Sequence, residues 1–326
     1  MSTPEKTLTV RSPADLVAAV PYLLGFHPDD GSVVVVVFNN RRVTFVARGD
    51  LPDRGATTAQ VQNPAAHLTQ VVRRQQPITD AVIIGYGDAQ HVEPPLRTFD
   101  RTFTAQDVPI RDLLRVTDRR IFSLLCDNPA CCPPQGIPFD SRTSLISVQA
   151  TAAGQVAFPD RAAVAARFAP VGGADRDAMR RATGEAITRA ASLRDAGDAA
   201  AHEAGARAVR AALRQHDAGK RLADDEVAWL TVLVTRPSVR DLAMELTEPH
   251  DQHVTFWAEV TRRAEQPLVP APATLLALAA WRCGDGALAL LAVEHALAIE
   301  PTYELAGLLE QALHVGLPPS EFFDQP

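Results

Sequence analysis

Val33-Val34-Val35-Val36-Val37-Phe38 is an unbroken apolar row, all but the last residue β-branched. A strand with one wet face alternates polar and apolar side chains. An unbroken row predicts a strand covered on both faces, inside a sheet. Working outward, Asn39-Asn40-Arg41-Arg42 predicts a hairpin turn, and Val43 to Arg48 the returning strand. On the other side, Gly25-Phe26-His27-Pro28-Asp29-Asp30-Gly31 reads as a loop. Before it, Ser12-Pro13-Ala14-Asp15 predicts a helix start, with Ser12 as cap and Pro13 in the first turn. Leu16, Val20 and Leu23 fall on one face of that helix, and Pro21 predicts its end or a kink.

Further along, Asn63 to Gln75 predicts a helix and Ala81-Val82-Ile83-Ile84 a second buried strand, closed by Gly85-Tyr86-Gly87. A weaker helix is expected over Pro95 to Thr104. Strands are expected over Ile110 to Val116, Arg120 to Leu125 and Ser144 to Gln149. This alternation predicts a mixed α/β sheet. Past Gly172-Gly173 the pattern becomes helical: Met179, Ala182, Ala186, Ile187, Ala190 and Leu193 follow helical spacing. Further helices are expected up to His314. The expected organisation is therefore an N-terminal mixed-sheet α/β domain, residues 1–171, which includes the cysteine-containing loop 126–136. An all-α domain, residues 172–326, follows it. In the latter, Ala277, Ala289, Val293, Ala296 and Pro301 match the spacing of a tetratricopeptide-like terminal hairpin, where small residues let two helices approach closely. Only one such unit is visible, and an ordinary helical hairpin fits the same residues.

The chain has 326 residues, 46% hydrophobic and 22% charged, with net charge −7. This excludes a disordered, collagen-like or disulfide-framework protein. The acidic balance does not favour nucleic acid or an anionic membrane. No apolar run approaches the roughly 20 residues that cross a bilayer. Met1 to Val10 lacks the apolar core of a secretory signal, so the expected location is the cytoplasm. Lys6 and Lys220 are the only lysines among 32 basic residues, a bias of high-GC coding.

Three places could carry chemistry. Cys126-Asp-Asn-Pro-Ala-Cys131-Cys132-Pro-Pro-Gln-Gly136 crowds three thiols into a stiff loop. Thiolates bind zinc well, but the spacing is not that of a zinc ribbon, and neighbouring side chains are expected to diverge. Structural thiols, a metal site (zinc the first candidate) and a redox role remain open. The His27 loop sets an imidazole beside Asp29 and Asp30, an acid–base or metal arrangement that turn chemistry alone also explains. Gly85-Tyr86-Gly87-Asp88 follows a strand where ligands gather, yet Gln90 stands where a dinucleotide fingerprint needs glycine. The pair His250 and His253 reads as a packed helix face, and His202-Glu203 lacks the second histidine of a zincin. Arg214 stands where a phosphate loop ending at Lys220 needs its first glycine, and no Gly-x-Ser-x-Gly occurs.

Several stretches together resemble a known family. They are Arg11-Ser-Pro-Ala-Asp-Leu16, Val20-Pro-Tyr-Leu-Leu-Gly-Phe-His-Pro28, the cysteine loop, Trp281-Arg-Cys-Gly-Asp-Gly-Ala-Leu288, Ala296-Leu-Ala-Ile-Glu-Pro301 and Gly316-Leu-Pro-Pro319. The pattern resembles the actinobacterial family catalogued as domain of unknown function 4192, over nearly the whole chain. The resemblance implies an actinobacterial cytoplasmic protein and no particular activity. Gln135 stands where family members often carry an acidic residue, and Cys283 looks particular to this chain.

Two functions follow as expectations. The first is a non-catalytic interaction or regulatory module with a protein partner, drawn from the missing catalytic signatures and the terminal hairpin. The second is a small-molecule- or metal-binding enzyme or sensor. It would use His27, Asp29, Asp30, Gly85, Tyr86, Gly87 and Asp88 with Cys126, Cys131 and Cys132 in one cleft.

Overall fold

The computed structural model describes residues 10–195 and 197–323. These form two compact units. One runs to Arg161 and takes in Val315–Leu317; the other holds Ala162–His314 and the remaining C-terminal residues. The division precedes the Gly172-Gly173 pair.

The first unit opens with α1 (Pro13–Leu24). Ser12 accepts from the Asp15 N–H at its start, and Gly25, at φ 80, ends it. Pro21 does not stop the helix. Leu16, Val17, Val20 and Leu24 are buried along it, and this packing outweighs the one backbone bond that proline removes. The strands are β1 (Ser32–Asn39), β2 (Arg42–Asp50), β3 (Asp80–Tyr86), β4 (Ile110–Thr117), β5 (Arg120–Ser123) and β6 (Ile137–Pro138). They form one mixed sheet in the order β2-β1-β3-β4-β5-β6, parallel only between β3 and β4. The Val33–Phe38 row is β1, flanked by β2 and β3 and fully buried. Asn40 takes φ 58 in the β1–β2 turn, and Asp118 and Arg119 take positive φ between β4 and β5.

Helices α2 (Thr58–Arg73) and α3 (Ala89–Thr104) cover one face. Leu68 and Val72 of α2, with Val92, Leu96, Phe99 and Phe103 of α3, pack on Val33, Val35, Val37, Ile83 and Leu113. α3 starts before the expected Pro95 because Asp88 caps it, accepting from the His91 N–H. The expected strand over Ser144 to Gln149 is instead the helix α4 (Leu145–Ala152). Ser144 caps it by accepting from Ile146, and Ile146 packs on Ala18 and Ala19 of α1. Local capping and a helical burial pattern win over the β-branched composition.

The second unit is helical: α5 (Arg161–Ala165), α6 (Gly173–Asp195), α7 (Asp198–Asp217), α8 (Asp224–Leu233), α9 (Pro237–Leu246), α10 (Asp251–Arg263), α11 (Pro270–Arg282), α12 (Gly286–Ile299), α13 (Glu304–His314) and α14 (Pro319–Phe323). Helix α5 begins at the dividing point. Two large buried side chains here have polar partners: Trp257 Nε1 donates to Thr247 Oγ1 at 2.9 Å, and Arg263 donates to the Leu222 carbonyl at 2.9 Å and pairs with Asp224. No described helix is long and apolar enough to cross a membrane.

Candidate metal centre

The cysteine loop leaves the sheet at the end of β5 and returns as β6. Its departure is pinned by two side chains. Ser123 Oγ donates to Asp112 Oδ1 at 2.7 Å and accepts from the Cys126 N–H at 3.2 Å. Asn128 then builds the turn. Its side-chain oxygen accepts from Ala130 N at 3.0 Å. Its backbone carbonyl accepts from both Cys131 N and Cys132 N, at 3.2 and 2.8 Å. This local bonding is the Asx turn that Asn-Pro favours. At the far side Gly136 takes φ 77, and Arg120 Nη1 donates to the Gln135 and Gly136 carbonyls.

The turn decides where the sulfurs point. Consecutive side chains oppose one another in extended chain, and a turn breaks that alternation. The expected divergence of Cys131 and Cys132 is therefore not what the loop does. The sulfurs of Cys126, Cys131 and Cys132 all lie within 4.8 Å of one another, and Cys126 to Cys131 is 3.3 Å. All three are free thiols; Cys131 is exposed and the others are partly covered. The hydrogen bond from Cys132, aided by the Asn128 backbone and Cys131, holds the Cys126 thiol below its ordinary pKa. The same bond, with desolvation, pushes Cys132 up to about 12. Cys126 is thus the first of this pair to ionise, with Cys132 as its donor. Among the described residues these three sulfurs form the group of soft donors that could hold a metal ion.

The other two sequence candidates meet each other elsewhere. The Gly31 N–H donates to the Tyr86 carbonyl at 2.8 Å, and the Gly87 N–H to the Val116 carbonyl at 2.9 Å. This is the C-terminal end of the parallel pair β3–β4. His27 donates its N–H to the Phe158 carbonyl, and partial desolvation of its ring lowers its pKa although one side faces solvent. Asp29 accepts from Ser32 N through its carbonyl, a turn bond, and Asp30 is exposed beside it. Asp88 pairs with Arg54, and His91 Nε2 lies 2.9 Å from the Pro52 carbonyl. Some desolvation raises the Asp88 pKa, but the bond from His91 N and the Arg54 charge outweigh it and leave it lowered. Gly85 is required by close packing: a Cβ there would stand 2.9 Å from Leu96 Cδ1 and also strike Val92. The Tyr86 hydroxyl is buried without a partner, and burial raises its pKa.

Cys126 is tied through Ser123 to Asp112 near the start of β4, whereas the Gly85–Asp88 turn meets Val116 near its end. Four residue steps at 3.3 Å separate those levels, about 13 Å. The three sulfurs accordingly group without His27.

His253 is a packed residue: its Nδ1 accepts from Glu248 N at 2.8 Å and its Nε2 faces Asp217 at 3.4 Å. Cys283 caps α11 in the second unit, its pKa pushed up to about 11 by desolvation. Sequence reasoning missed Ser123 and Asp112, because their pairing follows from hairpin register. Asn128-Pro129 was the legible signal of the turn.

The fold and site define an α/β sheet unit bearing a three-cysteine loop, followed by a helical unit. The family model described as domain of unknown function (DUF4192) matches residues 13–320, and the chain belongs to that family. No curated protein and no solved structure matches.

Proposed function

We propose that this is a non-catalytic regulatory protein of the cytoplasm, of actinobacterial type, whose α/β unit holds a thiophilic metal ion at Cys126, Cys131 and Cys132. The observation that carries the reading is the approach of three sulfurs to within 4.8 Å of one another in a loop fixed by its own hydrogen bonds. Ions that fit sulfur donors include zinc and monovalent copper. The helical unit is the proposed partner-binding part. Burial of Ala277, Ala289, Val293 and Ala296 in α11 and α12 supports a tetratricopeptide-like hairpin there, and the partner is a protein.

The test is metal content by plasma mass spectrometry on tag-free protein purified without chelator, paired with thiol counting in denaturant. One equivalent of metal per chain, lost in Cys126→Ser, is the expected result. No metal uptake by the reduced protein, even after reconstitution, overturns the reading.

A second reading is favoured by one observation. The His27 loop meets the Gly85–Asp88 turn at the Tyr86 carbonyl, and the Tyr86 hydroxyl is buried without a partner, a polar group that would suit a small-molecule sensor. Ligand-induced change in tyrosine absorbance, lost in Tyr86→Phe, tests it.

A further inference from the structure

We infer that the ion held by the cysteine loop is monovalent copper in a three-sulfur shell. This rests on the metal-binding reading above and names the ion.

The donor set is sulfur alone, which selects soft ions: Cu(I), zinc or an iron–sulfur cluster. It is also incomplete for two of the three. Structural zinc takes four ligands in a tetrahedron. The common iron–sulfur clusters take four cysteines. Here all three sulfurs come from one seven-residue stretch, Cys126 to Cys132, which supplies no fourth thiol. Among the described residues no histidine nitrogen or carboxylate oxygen joins the group. The carboxylate tied to the loop, Asp112, already accepts at Oδ1 from Ser123 Oγ and from Leu113 N. Cu(I), with a filled d shell and a single charge, is satisfied by three thiolates.

The spacing agrees. Three sulfurs about 2.3 Å from a central ion in a plane stand about 4.0 Å apart. Cys126 Sγ and Cys131 Sγ stand 3.3 Å apart and no pair of the three exceeds 4.8 Å, limits that admit that value. Pro129, Pro133 and Pro134 stiffen the loop, and the Asn128 turn fixes its course. Thiol protons displaced on binding pass to solvent, and copper stays monovalent throughout.

The experiment uses the full chain, reduced and free of oxygen. Cu(I) is supplied as its bathocuproine disulfonate complex, and zinc in competition with a pyridylazo-resorcinol dye. X-ray absorption at the copper edge counts the sulfurs. The expected result is one copper per chain with three sulfurs, and zinc that is lost on gel filtration. Cys126→Ser, Cys131→Ser and Cys132→Ser each weaken copper binding at least tenfold with unchanged circular dichroism, while Cys283→Ser does not. Should a serine variant misfold, the sulfur count on the unaltered chain still decides. Zinc retained at one per chain against equimolar Cu(I), or a copper shell of two sulfurs, overturns the inference and leaves the metal site standing. Binding of neither ion overturns both.

Discussion

Gly136 lies so close to Phe122 that a Cβ on it would stand 2.7 Å from the ring's Cζ. The ring is also stacked by the Arg115 guanidinium at 3.9 Å, and Arg115 pairs with Glu93 of α3 at 3.1 Å. The return of the cysteine loop is thus keyed to the sheet through one aromatic ring. With φ at 77, Gly136 combines a conformation that suits glycine with a contact that excludes any side chain. Gly136→Ala should destabilise the first unit by about 1–3 kcal/mol. It should also weaken metal binding without touching a sulfur. Denaturant melts of the metal-free variant check this; an unchanged midpoint would show that the loop shifts freely.

The thiols should differ in reactivity. Cys126 ionises below the ordinary thiol value, whereas Cys132 is held up to about 12 and Cys283 up to about 11. The thiolate is the nucleophile. As pH rises, alkylation of the metal-free protein by iodoacetamide should therefore begin at Cys126, well ahead of Cys132 and Cys283. Timed quenching and peptide mass spectrometry give the order. Modification of Cys132 before Cys126 would contradict the donor role given to Cys132.

Asp285 couples the stability of the helical unit to pH. It caps α12 by accepting from Leu288 N at 2.9 Å, and its pKa is raised, chiefly by desolvation. The folded chain then holds a proton there more readily than the unfolded chain does. That contribution makes the protein more stable as pH falls from neutral through the raised value, and it levels off below the ordinary aspartate range. Asp285→Asn removes the buried charge and keeps a capping oxygen. Its Tm should exceed that of the unaltered protein at pH 7, with the gap closing toward about pH 4. Calorimetry across that range checks both the sign and the window; a lower Tm at neutral pH would mean the charge is favourable where it sits.

Gly85 separates packing from ligand binding in the turn after β3. Gly85→Ala would press a methyl group into Val92 and Leu96. Overpacking of this kind costs about 1–3 kcal/mol. A urea melt should show it, and an alanine variant as stable as the original would reopen a ligand role for the glycine.

The central strands were legible because both faces of β1 and β3 are covered, which writes burial into consecutive residues. The segment from Ser144 misled because Ile146 and Val148 look strand-like in isolation. Its helix is settled by Ser144 as cap and by Ile146 and Ala150 facing inward, with Leu145 67% and Val148 58% exposed. Of the two outcomes expected at Pro21, an end or a kink, the end does not occur: a local rule yields to a buried helix face. Of the candidate site, the crowding of three cysteines could be read from the chain, but not the direction of their side chains. That direction depends on the backbone angles after Asn128, and the Ser123–Asp112 support depends on which residues the β4–β5 hairpin sets side by side.

The strand to which the cysteine loop returns, β6, is only Ile137 and Pro138, paired with Ile121 and Arg120. Proline has no N–H to offer a further strand, and a two-residue border gives a newcomer little to zip onto. The loop therefore ends in a stop. Without it, β5 would present a bare ladder of backbone donors and acceptors, inviting copies of the chain to join edge to edge. The segment that gathers the sulfurs also closes this border of the sheet to a further strand.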